Sequence, residues 1–563
     1  MEALHARAEG GVLTLTLDTP GSDVNVFDLR AAEALTQAIE GLDGSIEVVV
    51  LASRKPGSFV NGVGLMMAGA AKGASDVARL TEPVRRAYRA LRDARVPTIA
   101  AIRGNCFGCG VELALQCSHR IAVEDGPTCF YMTEIADYLF VPCFGATQDL
   151  PGIVGLDAAI RLVVHGERWS ASDALRGGLV DRTVKPRGSD EPIARFVEDV
   201  RRGRVPSRRT MRVLEDADLD ATRDRIARLP EAARIVSDEA LSLLVRGARG
   251  AAAYDDEIEA AGRTVAREAS KAAQGYFFVR QIAAQRERRR SKGPRVRSLV
   301  LAGLPHLRRE LVRRAPLELA IVDAPAPRDE PDRLLLASSS GPGVDVVVST
   351  EPSAPLREGG RPIAWAPMLG LGCAFVEIDP VMRAEVAGQL AIALHAAGFE
   401  TAQTHPTSAF VTRRVADAML DPIDRFLARG GAADEVSLTL RTLGFARSPR
   451  VVAIAIGREP MASDDPPRGA APSAVLALAI TSSLVAIASE LLSAGEVDHP
   501  TTLDVIARHV IEFPLAERSL CRFGTIARAG TLLDHASEME PLIDANVLTH
   551  LEAHVRRGRD HYC

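Results

Sequence analysis

The run Gly104-Asn105-Cys106-Phe107-Gly108-Cys109-Gly110-Val111-Glu112-Leu113-Ala114 constrains this chain more than any other stretch. It leaves a strand-forming segment, Pro97-Thr98-Ile99-Ala100-Ala101-Ile102, and passes through three glycines into a helix-forming sequence. Backbone amides at a helix start have no intrahelical acceptor and lie at the positive end of the helix dipole, so they can hold a developing oxyanion. Glu112, on the first turn, stands where it can move a proton beside that oxyanion. A second acid, Glu134, closes the following segment Phe130-Tyr131-Met132-Thr133-Glu134.

These residues resemble the crotonase (enoyl-CoA hydratase/isomerase) superfamily, whose pattern reads G-x-x-x-G-G-G-x-E-L-A, then F-G-x-P-E, then P-G-x-G-G-T. The chain carries Gly108, Gly110, Glu112, Leu113 and Ala114, then Phe130 and Glu134, then Pro142-Cys143-Phe144-Gly145-Ala146-Thr147. Upstream, Gly57-Ser58-Phe59-Val60-Asn61-Gly62-Val63-Gly64-Leu65 is similar to the family's A-F-x-x-G-A-D-I segment. The resemblance implies an α/β domain built as a spiral of ββα turns and a thioester carbonyl held between the amides of Val63 and Cys109. It implies substrate contact at Gly62, Gly108, Gly110 and Phe144. Glu112 and Glu134 then face the acyl α and β carbons, where the pair activates water and delivers a proton to the α carbon. The chain departs from the pattern at Cys109, which replaces the middle glycine, and at Tyr131, which replaces the glycine of F-G-x-P-E. A side chain at position 109 fits only a backbone that does not need positive φ. One extra residue separates Glu134 from Pro142, which leaves Asp137 open as a sharer of the second acid's place.

At 563 residues the chain exceeds an ordinary domain and suggests three or four. A 47% hydrophobic fraction with 25% charge is that of a globular protein, and a net charge of −5 gives no reason to expect a nucleic-acid partner. The first nine residues contain no apolar core after a basic start, so the expectation is a cytoplasmic protein without a secretory leader. The uncharged stretch from Ser473 to Ser489 is short and interrupted by Thr481, Ser482 and Ser483, which predicts a buried helix and no membrane span. Five of the eight cysteines fall at 106, 109, 117, 129 and 143. The C-x-x-C spacing of Cys106 and Cys109 invites a metal or redox reading. Their position in the oxyanion turn favours small-residue replacement instead, so no metal is expected.

Five segments follow: a crotonase-like domain at 1–190, a charged helical region at 191–293 ending in the linker Gln285 to Pro294, a degenerate Rossmann-like domain at 294–405, and two helical domains at 406–470 and 471–563. The segment Tyr254-Asp255-Asp256-Glu257-Ile258-Glu259-Ala260-Ala261-Gly262-Arg263 is similar to the connecting helix of multifunctional fatty-acid β-oxidation α subunits. Those proteins join a crotonase domain to a 3-hydroxyacyl-CoA dehydrogenase with all-α C-terminal domains, and the rest of the chain keeps that order. Its nucleotide-binding features are eroded. Where G-x-G-x-x-G should run the chain reads Ala302-Gly303-Leu304-Pro305-His306-Leu307-Arg308, although Asp323 stands at a ribose-like position. Trp365 stands twelve residues before Glu377, where the family's catalytic histidine would be, Thr412 replaces its asparagine, and the interval from Asp323 to Trp365 is too short for the usual set of strands.

The expectation is an enoyl-CoA hydratase/isomerase-type lyase acting on an acyl-CoA or carrier-bound acyl thioester, with no cofactor and no NAD. A thiolase-like or pathway-enzyme partner and a homo-oligomer stay open, as do two other readings: a non-catalytic thioester-binding scaffold, and a dehydratase of a specialised pathway.

Overall fold

The computed structural model describes the chain apart from residues 1–2, 65–68, 126–127, 187, 208–217, 251–252, 291–295, 297, 303, 315–319, 324–332, 338–345, 350–363, 367–374, 380–383, 398, 460–470, 515–518, 559 and 562–563. It divides into two compact units, Met1–Gln274 and Gly275–Cys563.

In the first unit, β1 (Leu4–Glu9) and β2 (Val12–Leu17) form an antiparallel hairpin, and β2 buries alternate residues as its Val-Leu-Thr-Leu-Thr-Leu pattern demands. Helix α1 (Leu29–Glu40) starts where the Asp28 side chain accepts from the Ala31 amide at 2.9 Å, and it buries Ala31, Ala32, Leu35, Thr36 and Ile39. Thereafter a three-part repeat runs three times. It comprises β3 (Val48–Ser53), β4 (Ser58–Val60) and α2 (Ala74–Arg92); then β5 (Thr98–Ile102), β6 (Asn105–Phe107) and α3 (Cys109–Gln116); then β7 (His119–Val123), β8 (Cys129–Tyr131) and α4 (Thr133–Ala136). The first strand of each repeat enters a six-stranded sheet of order β1-β2-β3-β5-β7-β10, completed by β10 (Arg182–Val184) and parallel beyond the hairpin. The second enters a four-stranded sheet of order β4-β6-β8-β9, with β9 at Trp169–Ser170. The chain thus steps between two sheets on each turn, which is the ββα spiral expected. Strands β3 and β7 are buried on both faces, as parallel strands covered on both sides must be.

The rest of this unit is helical. It includes α5 (Ala146–Val154), Glu231–Ala248 and α6 (Tyr254–Val265). Gly262 lets α6 pack on the start of α2, because a Cβ there would lie well inside contact distance of the Ala74 backbone. The run expected to be a linker after Gln285 is instead helical through Arg290, the end of the helix Glu268–Arg290. Its arginines and glutamates are good helix formers, so charge density alone does not end a helix.

In the second unit, seven strands form one sheet of order β12-β11-β13-β14-β15-β16-β17: β11 Ser298–Ala302, β12 Ala320–Asp323, β13 Arg333–Ala337, β14 Val346–Ser349, β15 Ala364–Trp365, β16 Phe375–Ile378 and β17 Glu400–Gln403. All neighbours are parallel except β15 and β16. Among the described residues, the short interval between Asp323 and Trp365 holds the strands β13 and β14, while Gly303 lies outside the described residues. Trp365 is buried and stacks on Phe410 with ring centroids 5.1 Å apart. Glu377 accepts from Thr404 Oγ1 at 2.6 Å and from the Val411 and Thr412 amides at 2.8 Å, so it caps the start of the helix Val411–Ala428.

The remainder of this unit is a helical array. The helix Ala474–Ser493 is, among the described residues, the one long and apolar enough to cross a membrane by length and composition. Its Thr481, Ser482 and Ser483 are buried, and it packs against Val411–Ala428 and Ala545–Arg557.

Candidate active site

The site begins at the turn from β6 into α3. Gly108 caps the helix at φ 51°, and its amide donates to the Tyr131 carbonyl at 2.8 Å, tying the turn to β8. A Cβ at Gly108 would lie well inside contact distance of Glu134 Oε1 and 2.9 Å from Thr133 Oγ1, so only glycine fits. Gly110 is equally closed, since its Cβ would meet the Val60 carbonyl oxygen at 2.5 Å. Cys109 begins the helix proper and is absent from the positive-φ residues, which is why this position takes a side chain. Its thiol is buried in the core, and its carbonyl accepts from Tyr88 Oη at 2.6 Å.

The two amides expected to bind the oxyanion are oriented by their preceding peptides. Gly62 sits at φ 109° with its carbonyl accepting from the Phe27 amide at 3.0 Å. The trans peptide then turns the Val63 N–H to the opposite side. The Gly108 carbonyl accepts from the Val111 and Glu112 amides inside the helix, so the Cys109 N–H points outward from the helix start.

Glu112 is fully buried. Its Oε1 accepts from the Phe144 and Ala146 amides, both at 3.0 Å. Among the described residues its Oε2 has no hydrogen-bond partner, and neither has Glu134 Oε2. Both carboxyls line one pocket with Val63, Phe144 and an otherwise largely apolar wall of Ala71, Val77, Leu80, Thr81, Phe140, Cys143, Ala261 and Val265. Burial pushes the Glu112 carboxyl well above the usual carboxylate range, helped by the nearby charges of Glu134 and Glu257 and opposed by the Ala146 and Phe144 amides. Burial likewise lifts Glu134 to about 7, with Asp137 and Glu257 adding to it and the amides of Glu134 and Thr133 opposing. Asp137 does not join the cavity wall. It accepts from Tyr131 Oη at 3.0 Å, whereas Glu134 lines the cavity. Of the expected residues, Val63, Glu112, Glu134 and Phe144 meet at the cavity; Gly62, Gly108, Cys109 and Gly110 shape the turns behind it.

Glu257 escaped the sequence reading as a site residue. It lies on α6, 1% exposed, and burial lifts its carboxyl to about 7 against hydrogen bonds from Thr147 and Gly145. Asp255, Asp256 and Glu257 form an acidic run, but only Glu257 shares a helix face with Ala261 and Val265. An acid on an apolar stripe was the available signal.

Cys106, Cys109 and Cys117 are buried. Among the described residues, no three His, Cys, Asp or Glu side chains gather as a metal site.

The profile of the enoyl-CoA hydratase/isomerase family matches residues 7–197. The chain is 34% identical over 180 residues to fatty acid oxidation complex subunit alpha from Shewanella baltica and, at the same identity, to that from Shewanella oneidensis, covering 32% of this chain and 25% of each relative. It spans about a quarter of the length of these curated relatives. Among solved structures, Pseudomonas aeruginosa DspI is 33% identical with a TM-score of 0.32, covering 35% of this chain and 81% of that one. An enoyl-CoA hydratase/carnithine racemase from Magnetospirillum magneticum is 26% identical with a TM-score of 0.34, covering 36% and 74%. With its spiral of ββα turns, its glycine-bounded helix start and its paired buried acids, the segment 7–197 is similar to the enoyl-CoA hydratase/isomerase family, the crotonases, whose model it matches.

Proposed function

We propose that this protein hydrates the double bond of a 2-enoyl-CoA thioester in its first unit, and that its second unit performs no dehydrogenation. The observation that carries the reading is the pair of buried, unpartnered carboxyl oxygens, Glu112 Oε2 and Glu134 Oε2, on one largely apolar cavity. Buried polar atoms without partners are costly, and such a pair stands ready to hold a water molecule or a reacting group.

In this reading the thioester oxygen lies against the amides of Val63 and Cys109, which stabilise the enolate that forms as water attacks the β carbon. One ionised acid takes a proton from the water while the other, protonated, gives one to the α carbon. Burial suits the pair to this exchange, because it keeps both carboxyls above the usual range and so favours the protonated form that one of them needs. The same pair would support isomerisation of a 3-enoyl thioester if a single acid moved the proton. The curated relatives are named as subunits of a fatty acid oxidation complex, which supports an acyl thioester of fatty-acid type as the substrate.

The residues of the second unit do not fit dehydrogenase chemistry. Trp365 stacks on Phe410 and Glu377 is engaged with a helix start, so among the described residues this pair offers no base for alcohol oxidation. The sheet is read as a degenerate Rossmann-like domain followed by helical dehydrogenase-type domains.

Incubation with crotonyl-CoA should bleach the conjugated enoyl-thioester absorbance and yield 3-hydroxybutyryl-CoA. No loss of absorbance with crotonyl-CoA or longer 2-enoyl-CoA thioesters would overturn hydration. Calorimetric titration with NAD⁺ should show no saturable binding, and micromolar binding would restore a bifunctional reading.

A further inference from the structure

Four successive amides run from Phe144 to Thr147, across the N-terminus of α5, and they are shared alternately between two acids. Phe144 and Ala146 donate to Glu112 Oε1, each at 3.0 Å. Gly145 donates to Glu257 Oε2 at 2.8 Å and Thr147 to Glu257 Oε1 at 2.9 Å, with the Thr147 hydroxyl adding a third bond at 2.6 Å. The two acids thus share one short backbone segment, so a shift of the amides held by Glu257 moves those that hold Glu112.

The same helix grips α5 a second time, one turn earlier. Tyr254 Oη donates to Asp149 Oδ1 at 2.6 Å, while Arg92 meets Asp149 Oδ2 at 2.7 Å and Gln116 Nε2 reaches it at 3.1 Å. Gln116 also donates to the Glu112 carbonyl at 3.2 Å, so α6 is linked to both ends of the Glu112 position, through its backbone and through its carboxylate. Ala261 and Val265, on the Glu257 face of α6, line the cavity itself. Glu257 does not, and both of its oxygens are occupied, so it touches no reacting atom. Residues 254–265 lie beyond the stretch that matches the hydratase family.

We propose that Glu257 is a positioning residue of the hydratase site, which clamps the 144–147 amides so that they orient the Glu112 carboxylate, and that residues 254–265 are therefore a working part of the site. The proposal rests on the hydratase reading for its kinetic arm, and its spectroscopic arm does not need turnover.

Glu257→Gln keeps the volume but turns an NH₂ group toward at least one amide donor, so one of the bonds to Gly145 or Thr147 is lost. In the full-length protein, checked for wild-type circular dichroism, kcat for crotonyl-CoA should fall roughly 10- to 100-fold while KM changes less than about 3-fold, since a misaligned acid costs chemistry more than binding. Thr147→Val, which keeps the amide bonds to Glu257 and removes the hydroxyl's bond to it together with the one Gln148 Nε2 donates to that hydroxyl, should give a smaller fall of the same kind and serves if Glu257→Gln does not fold. An unchanged kcat in either folded variant, or a KM that rises in step with the fall in kcat/KM, overturns the proposal. The second arm is the infrared band of the Glu112 carboxyl, assigned by its loss in Glu112→Gln. It should shift or broaden in Glu257→Gln as the Phe144 and Ala146 bonds loosen. A band identical to wild type overturns the proposal even if the wild-type protein hydrates nothing, whereas an inactive wild type with a shifted band overturns the hydratase reading alone.

Discussion

Replacing Glu112 by glutamine should reduce crotonyl-CoA hydration by about 10²- to 10⁴-fold, the range typical for loss of a positioned proton-transfer group. The substitution is nearly isosteric, and the Gln oxygen can still accept from the Phe144 and Ala146 amides, so the fold and the cavity should persist. The measurement is the decay of enoyl-thioester absorbance under saturating substrate, alongside acyl-CoA affinity by calorimetry. Retained affinity with lost turnover assigns Glu112 to the chemical step. Turnover equal to wild type would remove Glu112 from the mechanism.

Glu134→Gln should cost activity on the same scale and, at the same time, stabilise the protein above neutrality. The sign follows from burial. Glu134 has its carboxyl raised from an ordinary 4.5 to about 7, so the folded state holds a proton more tightly than the unfolded chain does. The stability tied to that proton is fully present below about pH 4.5 and is lost as pH rises through about 7. Glutamine cannot ionise, so the variant escapes this loss. The gain at pH 8 is of the order of 2–3 kcal/mol, or roughly 5 °C in melting midpoint for a unit of this size, and it should vanish at pH 4. Thermal melts of wild type and variant at the two pH values test this directly. A variant less stable than wild type at pH 8 would contradict the burial argument.

The chemistry-bearing half of the site was legible because its spacing is local. Gly108, Gly110 and Glu112 fall within one turn and the first turn of one helix, so sequence distance stands in for spatial distance. Glu134 over Asp137 was not decidable that way, because one added residue can be absorbed anywhere in the loop. In the structure the Tyr131 hydroxyl donates to Asp137, while Glu134 lines the cavity. The three-residue strands β4, β6 and β8 are too short to show a period, and they exist because each lies beside another in the small sheet. Glu257 was hidden for a different reason. It sits more than 100 residues from the amides it holds, and nothing in its own helix names Thr147 or Gly145 as partners. In the second unit, the bonds that Glu377 accepts at the start of the helix Val411–Ala428 were not readable, because they depend on β16 ending near Val411.

The three positions of the oxyanion turn differ in what evolution can do with them. At 108 a methyl group would strike the second acid, and at 110 it would strike the neighbouring strand. At 109 the backbone is ordinary helix and the side chain points into the core beside Tyr88. Drift is therefore channelled through one letter of the three. A lineage can try alanine, serine or cysteine at 109, trading core volume for volume, while its neighbours stay fixed for as long as the acid at 134 is needed.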